Sequence, residues 1–154
     1  MQVFKEALEK NNEIVLIATT YDAPQNIRDM LKDFDVNVQY HESDGSLIIM
    51  DSVQGYQLGD TYDILRLIHL LANRAQKQSK NGIFSISDMG SFFIFNREKE
   101  MINYELSIPR NIDMRVKAFC CYHKIDFALR LTNAQQGYLM YHHNRAISSS
   151  TLFH

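Results

Sequence analysis

An apolar run that closes on a carboxylate, Leu47-Ile48-Ile49-Met50-Asp51, constrains this chain more than any other stretch, because nothing before it is built to hold a phosphate. Such residues predict a strand buried on both faces. An acid released at its C-terminal end is where phosphoryl-transfer enzymes place the aspartate that organises Mg²⁺ and the attacking water. Their phosphate loop needs glycines and a Lys-Ser/Thr pair at the first turn of a helix, so that backbone N–H groups and one ammonium surround the phosphates. No Gly-Lys dipeptide occurs here, and the first strand candidate runs into Thr19-Thr20-Tyr21-Asp22-Ala23-Pro24, which has no glycine. The pattern predicts a nucleotide-hydrolase-like scaffold without the hydrolase machinery.

The 154 residues, 45% hydrophobic and 22% charged, suffice for one domain with its own core. Charge is uneven: residues 1–109 carry 10 Lys/Arg against 16 Asp/Glu, and residues 110–154 carry 6 against 2. That basic third is too dilute for a dedicated nucleic-acid surface, so a solvated face is expected and no direct nucleic-acid partner. Cys120 and Cys121 are adjacent and no other cysteine exists, which makes an intradomain disulfide geometrically poor and points to a reducing, cytoplasmic setting. The N-terminus lacks a basic-then-apolar leader, and no apolar run approaches the roughly 20 residues that span a bilayer, so no membrane segment is expected.

Val3, Phe4, Ala7 and Leu8 recur at helical spacing before Asn11-Asn12 and predict an opening helix. Ile14 to Ala18 predicts a strand, followed by Asp22 as N-cap and Pro24 in the first turn of a helix facing inward with Ile27, Met30, Leu31 and Phe34. Val36, Val38 and Tyr40 alternate with polar residues, which predicts either an antiparallel edge strand or an irregular approach to a central strand starting at Ser46, the second being preferred. Asp60 or Thr61 can cap a long helix with Ile64, Leu65, Ile68, Leu71, Ala72 and Ala75 on one stripe, closing near Lys80-Asn81-Gly82. Ile83 to Ser87 predicts a strand ending in Asp88, and Phe92 to Phe95 a strand or a first helical turn. Arg97 to Ser107 predicts a helix stopped by Pro109. Val116 to Tyr122 predicts a strand, and Asp126 to Leu131 with Gln135 to His143 closing helices, with Thr132 as the cap between them. Helices alternating with apolar strands predict a three-layer α/β domain over residues 1–147 with a mostly parallel central sheet and a loose tail at 148–154.

In open α/β sheets, ligands bind at the carboxyl ends of the strands. Four predicted ends bring Thr19-Thr20-Tyr21, Asp51-Ser52, Asp88-Met89 and Cys121-Tyr122-His123 to one rim. Two carboxylates there can hold a metal or shift each other's pKa, although acids at strand ends more commonly cap the next turn. Alternation along the last strand puts Cys121 and His123 on one face and Cys120 on the other, so a metal site needs His142 or His143 from a distant helix. Core packing of the cysteines is therefore favoured, and neither metal nor cofactor is expected. Phe92-Phe93 and Tyr56-Gln57-Leu58-Gly59 are the aromatic stretches in loop-like contexts, candidates for a pocket lid or partner surface.

The order of Asn12-Glu13-Ile14-Val15, Gly45-Ser46-Leu47-Ile48-Ile49-Met50-Asp51, Ser87-Asp88-Met89-Gly90, Tyr104-Glu105-Leu106 and Cys121-Tyr122-His123 with a terminal-helix histidine resembles the MEDS domain, the methanogen/methylotroph DcmR-type sensory domain. That family is similar to KaiC/RecA ATPases but has lost the phosphate loop. The resemblance covers roughly residues 2 to 145. It implies a RecA/KaiC-like fold and a signal-input role without turnover, often joined to histidine kinases or DNA-binding modules and suspected of sensing small hydrocarbon-type compounds. Asp51, Asp88, Glu105, Tyr122 and one of His142 or His143 match its pattern as pocket or architectural candidates. The chain departs from the fuller pattern by starting at the helix before Ile14 and by carrying no attached effector.

The first expectation is a cytoplasmic, non-enzymatic sensory domain, homo-oligomeric, binding a small-molecule ligand or a signalling protein at the rim formed by Thr19, Thr20, Tyr21, Asp51, Ser52, Asp88, Met89, Glu105, Tyr122 and His123. The second is a degenerate nucleotide-binding module with Asp51 on Mg²⁺ and Arg110, Arg115 or Lys117 on phosphate. The third is a structural interaction subunit.

Overall fold

The computed structural model describes residues 1–53, 62–108 and 115–143, with backbone only at 62–65. Strands β1 (Ile14–Thr19), β2 (Leu47–Asp51), β3 (Ile83–Asp88) and β4 (Val116–Cys121) form one sheet in the order β2-β1-β3-β4. Every pair is parallel, with Thr19 opposite Asp51, Ile17 opposite Ile86, and Asp88 opposite Cys121. A parallel ladder needs a crossover between successive strands, and the helical stretches recognised by their periodicity supply them.

β1 is the central strand: all six of its residues are buried, which an apolar run can accept only when both faces are covered. Its odd and even positions feed two cores. Ile14 and Leu16 pack with Ile83 and with Ile68, Leu71 and Ala75 of α4 (Tyr62–Lys77), Phe92 and Phe93 of α5 (Gly90–Ile94), Met101 of α6 (Glu98–Ser107) and Leu139 of α8 (Asn133–His142). Val15 and Ile17 pack with Phe84, with Phe4 of α1 (Gln2–Lys5), with Ala7 and Leu8 of the π-helical turn Glu6–Lys10 that continues it, and with Ile27 and Leu31 of α2 (Pro24–Asp33). Helices on both faces of a parallel sheet make the three-layer α/β architecture that the alternation of elements implies. No helix among the described residues is long and apolar enough to cross a membrane.

Three local expectations are corrected. Residues 38–43 are not extended: α3 (Val38–Ser43) is a short helix capped by the Asn37 side chain, which accepts from the Tyr40 N–H at 3.1 Å. Val38 and His41 turn inward three residues apart while Tyr40 is exposed, so the apparent period of two is incidental. β2 is an edge strand rather than a central one, and Ile48 and Met50 are accordingly only half-buried. Asp22 does not cap α2; Ala23 holds that position without a side-chain bond, and Pro24 opens the helix as expected. Phe92 to Phe95 resolves as helix α5 and its C-cap. The proposed caps Asp60 and Thr61, the stretch Tyr56 to Gly59, Pro109, Arg110 and the tail at 148–154 lie outside the described residues.

The closing segment follows the sequence closely. α7 (Lys124–Arg130) and α8 are separated by Thr132, whose hydroxyl accepts from the Gln135 N–H while the Gln135 side chain accepts from the Thr132 N–H, a reciprocal capping box. Gly82 enters β3 at φ +153°, and a Cβ there would stand 2.2 Å from the Arg115 carbonyl oxygen, so the close approach of β3 and β4 requires glycine.

Candidate functional site

The strand order reverses between β1 and β3: β2 lies on one side of β1, and β3 and β4 on the other. The loops leaving β1 and β3 therefore diverge at their C-terminal ends, the position where open α/β sheets form their ligand crevice. Asp88 joins the two loops. Its Oδ2 accepts from the N–H groups of Thr20 at 3.2 Å and Tyr21 at 3.1 Å, and its Oδ1 accepts from Gly90 N–H at 2.6 Å. Three backbone donors converging on one carboxylate make an anion seat, and the chain fills it from within.

The surrounding side chains extend that bond network. Thr20 Oγ1 accepts from Ser91 N–H at 3.1 Å and shares a hydrogen bond with the Ser52 hydroxyl at the end of β2. Tyr21 donates its phenol to Asp126 in the first turn of α7 and packs against the His123 ring at 5.4 Å between centroids. Burial and the Asp126 carboxylate hold the Tyr21 phenol above the usual tyrosine range. His123 Nδ1 stands 4.0 Å from Asp126. Gly90 lets these groups meet: a Cβ there would stand 2.6 Å from the Tyr21 ring and 2.8 Å from Asp88 Oδ1. Ser91, buried, has a hydroxyl oxygen with no hydrogen-bond partner.

Not every predicted rim residue belongs to this cluster. Asp51 accepts from Val53 N–H at 2.8 Å and caps its own turn, with β1 between it and Asp88. Two strand spacings separate those strands by about 10 Å, too far for one ion to bridge the acids. Thr19 is buried and donates to the Asp22 carbonyl at 2.9 Å, and Met89 is a core residue whose N–H donates to the Cys121 carbonyl at 2.9 Å. Arg115 and Lys117 sit at the start of β4, where Lys117 pairs with Glu13 at 2.8 Å, at the rim opposite Asp51 and Asp88. They cannot serve a phosphate at the strand ends.

Glu105, buried, and Tyr122, half-buried, form a second cluster. Tyr122 donates its phenol to Glu105 Oε1 at 2.6 Å, and His143 Nε2 lies 3.3 Å from Glu105 Oε2. Cys120, on the same face of β4 as Tyr122, completes it: its sulfur and those two ligand-type atoms lie within 4.8 Å of one another. Burial, with Glu105 nearby, raises the Cys120 thiol well above its ordinary value, and burial raises the Tyr122 phenol. Cys121 is exposed as a residue rather than packed in the core, but its sulfur is largely desolvated, and that desolvation, with Asp88 nearby, raises its thiol to about 11. Asp126, Ser91 and Cys120 are the members that sequence reasoning left out of the candidate set, whereas His143 had been offered as an alternative to His142. Only Asp126 carried a local signal, an acid three residues after His123 in a first helical turn.

Compared with protein-family models, residues 1–141 match one described as MEDS: MEthanogen/methylotroph, DcmR Sensory domain. The chain belongs to the MEDS family. MEDS is a family of sensory domains, and this member carries its sequence across nearly the whole described fold. Searches of curated proteins and of solved structures find no significant match to it.

Proposed function

We propose that this MEDS domain is a non-enzymatic signal-input module that binds a small, uncharged and largely apolar ligand at the β1/β3 strand ends, between Tyr21, Ser91 and His123. The observation that carries this reading is the Asp88 carboxylate on the Thr20, Tyr21 and Gly90 N–H groups. In a RecA/KaiC-like scaffold that has lost its phosphate loop, a resident carboxylate would keep triphosphate out by like charge and by occupying its donors. The buried, unpartnered Ser91 hydroxyl and the half-exposed Tyr21 ring offer one polar handle and one apolar wall to a ligand. Binding there acts by favouring one arrangement of the loops that Asp88 ties together, and so one surface for a signalling partner or a second copy. Exposed Ile125 and Leu129 on α7, the helix whose first turn holds Asp126 at that rim, support a partner-facing role for this helix.

Thermal-shift titration of the full chain against small apolar compounds, and separately against ATP with Mg²⁺, tests the reading. Saturation at a hundredfold above Kd adds about 2.7 kcal/mol to stability. The expected result is stabilisation by apolar compounds and none by ATP with Mg²⁺. Stabilisation by ATP that Asp51→Asn removes would favour the nucleotide-binding alternative, and indifference to both panels would favour a structural subunit.

A further inference from the structure

The geometry points to a thiophilic divalent-metal site formed by Glu105 Oε2, Cys120 Sγ and His143 Nε2, a cluster that shares no residue with the Asp88 network at the strand ends. Glu105 on α6, Cys120 on β4 and His143 at the end of α8 each bring one ligand-type atom, a carboxylate oxygen, Sγ and an imidazole nitrogen, to within 4.8 Å of one another. Tetrahedral zinc holds S, N and O ligands roughly 3.3–3.6 Å apart, so closure asks for movements of about 1 Å.

Two further observations separate this cluster from a chance meeting of polar side chains. Glu105 is fully buried, and its Oε2 lacks a hydrogen bond of good geometry although Oε1 is held by Tyr122. Its nearest polar neighbour is His143 Nε2 at 3.3 Å, and a buried carboxylate oxygen so weakly satisfied is costly unless a cation faces it. The second is the tautomer of His143. Its Nδ1 lies 2.8 Å from the Leu139 carbonyl and must donate to it, which leaves Nε2 as the atom presented to Glu105. A backbone carbonyl on the distal nitrogen is how proteins orient a metal-ligating histidine, and the Tyr122 phenol on Oε1 plays the corresponding part for the carboxylate. His142, its neighbour, is spent differently, with Nε2 on the Ile108 carbonyl at 2.8 Å.

Two lone-pair atoms facing each other, Nε2 and Oε2, need a positive species between them. Without metal it is a proton on His143, and the Glu105 carboxylate raises that imidazole above its ordinary value. Metal loading exchanges protons for the ion: the His143 Nε2 proton and the Cys120 thiol proton leave to solvent, and the thiolate, Nε2 and a Glu105 carboxylate oxygen each donate a lone pair. Three protein ligands leave a fourth position for water. Binding should therefore release up to two protons per ion and tighten as pH rises.

Co²⁺ and Zn²⁺ added to the reduced, chelator-stripped full chain test the site. The expected result is one equivalent of Co²⁺ bound with a thiolate-to-metal absorption band, present in wild type and Cys121→Ser and absent in Cys120→Ser. Because Cys120→Ser could disturb the core, His143→Gln at the half-buried end of α8 provides the second variant. It should weaken Zn²⁺ binding at least about tenfold while the circular dichroism spectrum is unchanged. No thiolate band in wild type, a band that survives Cys120→Ser, or a band lost in Cys121→Ser would overturn the assignment.

Discussion

Asp88→Ala probes the central claim about the strand ends. The carboxylate accepts three backbone N–H groups at 3.2, 3.1 and 2.6 Å, two from the loop after β1 and one from the turn after β3. Hydrogen bonds to a charged acceptor contribute roughly 1.5–3 kcal/mol each when dry, but Asp88 is half-buried and water can reach part of the vacated space, so about 1 kcal/mol per donor is the better figure. The sum is about 3 kcal/mol, which for a chain of this size lowers Tm by roughly 6–12 °C. Asp51→Ala is the internal control: with one N–H acceptor bond, from Val53, it should cost about 1 kcal/mol. Urea denaturation of the two variants beside wild type, read as midpoint shifts at unchanged slope, measures both numbers. The vacated anion seat provides a second readout. Asp88→Ala vacates three convergent donors, so millimolar phosphate should restore part of its lost stability and leave wild type unmoved. An Asp88→Ala variant within about 0.5 kcal/mol of wild type, or one equal to Asp51→Ala and blind to phosphate, would refute the reasoning.

Three further outcomes follow from the same coordinates. Gly90→Ala brings a Cβ within 2.6 Å of the Tyr21 ring; helix propensity returns under about 1 kcal/mol, so a net loss of about 1–2 kcal/mol is expected, and a smaller one on a Tyr21→Ala background, measured as a double-mutant cycle. Thr132→Ala removes the hydroxyl half of the capping box and should cost about 1 kcal/mol in thermal unfolding, with no effect on ligand or metal titrations at the other clusters. The hydrogen bond with Glu105 raises the His143 imidazole above its ordinary value of 6.5, so in the metal-free protein its contribution is fully present below pH 6.5 and is lost as pH rises through the folded-state pKa. Denaturation in a chelator across that window should show stability falling with pH in wild type and a flatter profile in His143→Gln.

Much of the fold was legible because its determinants are local. The apolar strands Ile14–Thr19 and Ile83–Asp88, the stripe Ile68, Leu71 and Ala75, Pro24 at a helix start, and the Thr132–Gln135 pair each lie within one helical turn or one strand, where side-chain period and capping chemistry act directly. Failures came where a short pattern supports two periods, as in Val36-Asn37-Val38-Gln39-Tyr40, or where strands of equal apolarity had to be ordered. Nothing in Leu47–Asp51 marks it as an edge, since its place depends on which side of β1 each crossover passes.

The candidate site divides along the same line. From the sequence alone came the lack of any Gly-Lys dipeptide, the acids at the ends of two strands, and their tendency to cap the following turns, all properties of neighbouring residues. Only tertiary packing brought the Asp88 carboxylate onto the N–H groups of Thr20 and Tyr21, some 68 residues away, and gathered the half-buried Cys120 and His143 around the buried Glu105. Such meetings depend on strand order and helix docking, which are set by burial summed over the whole core, and no local pattern encodes them.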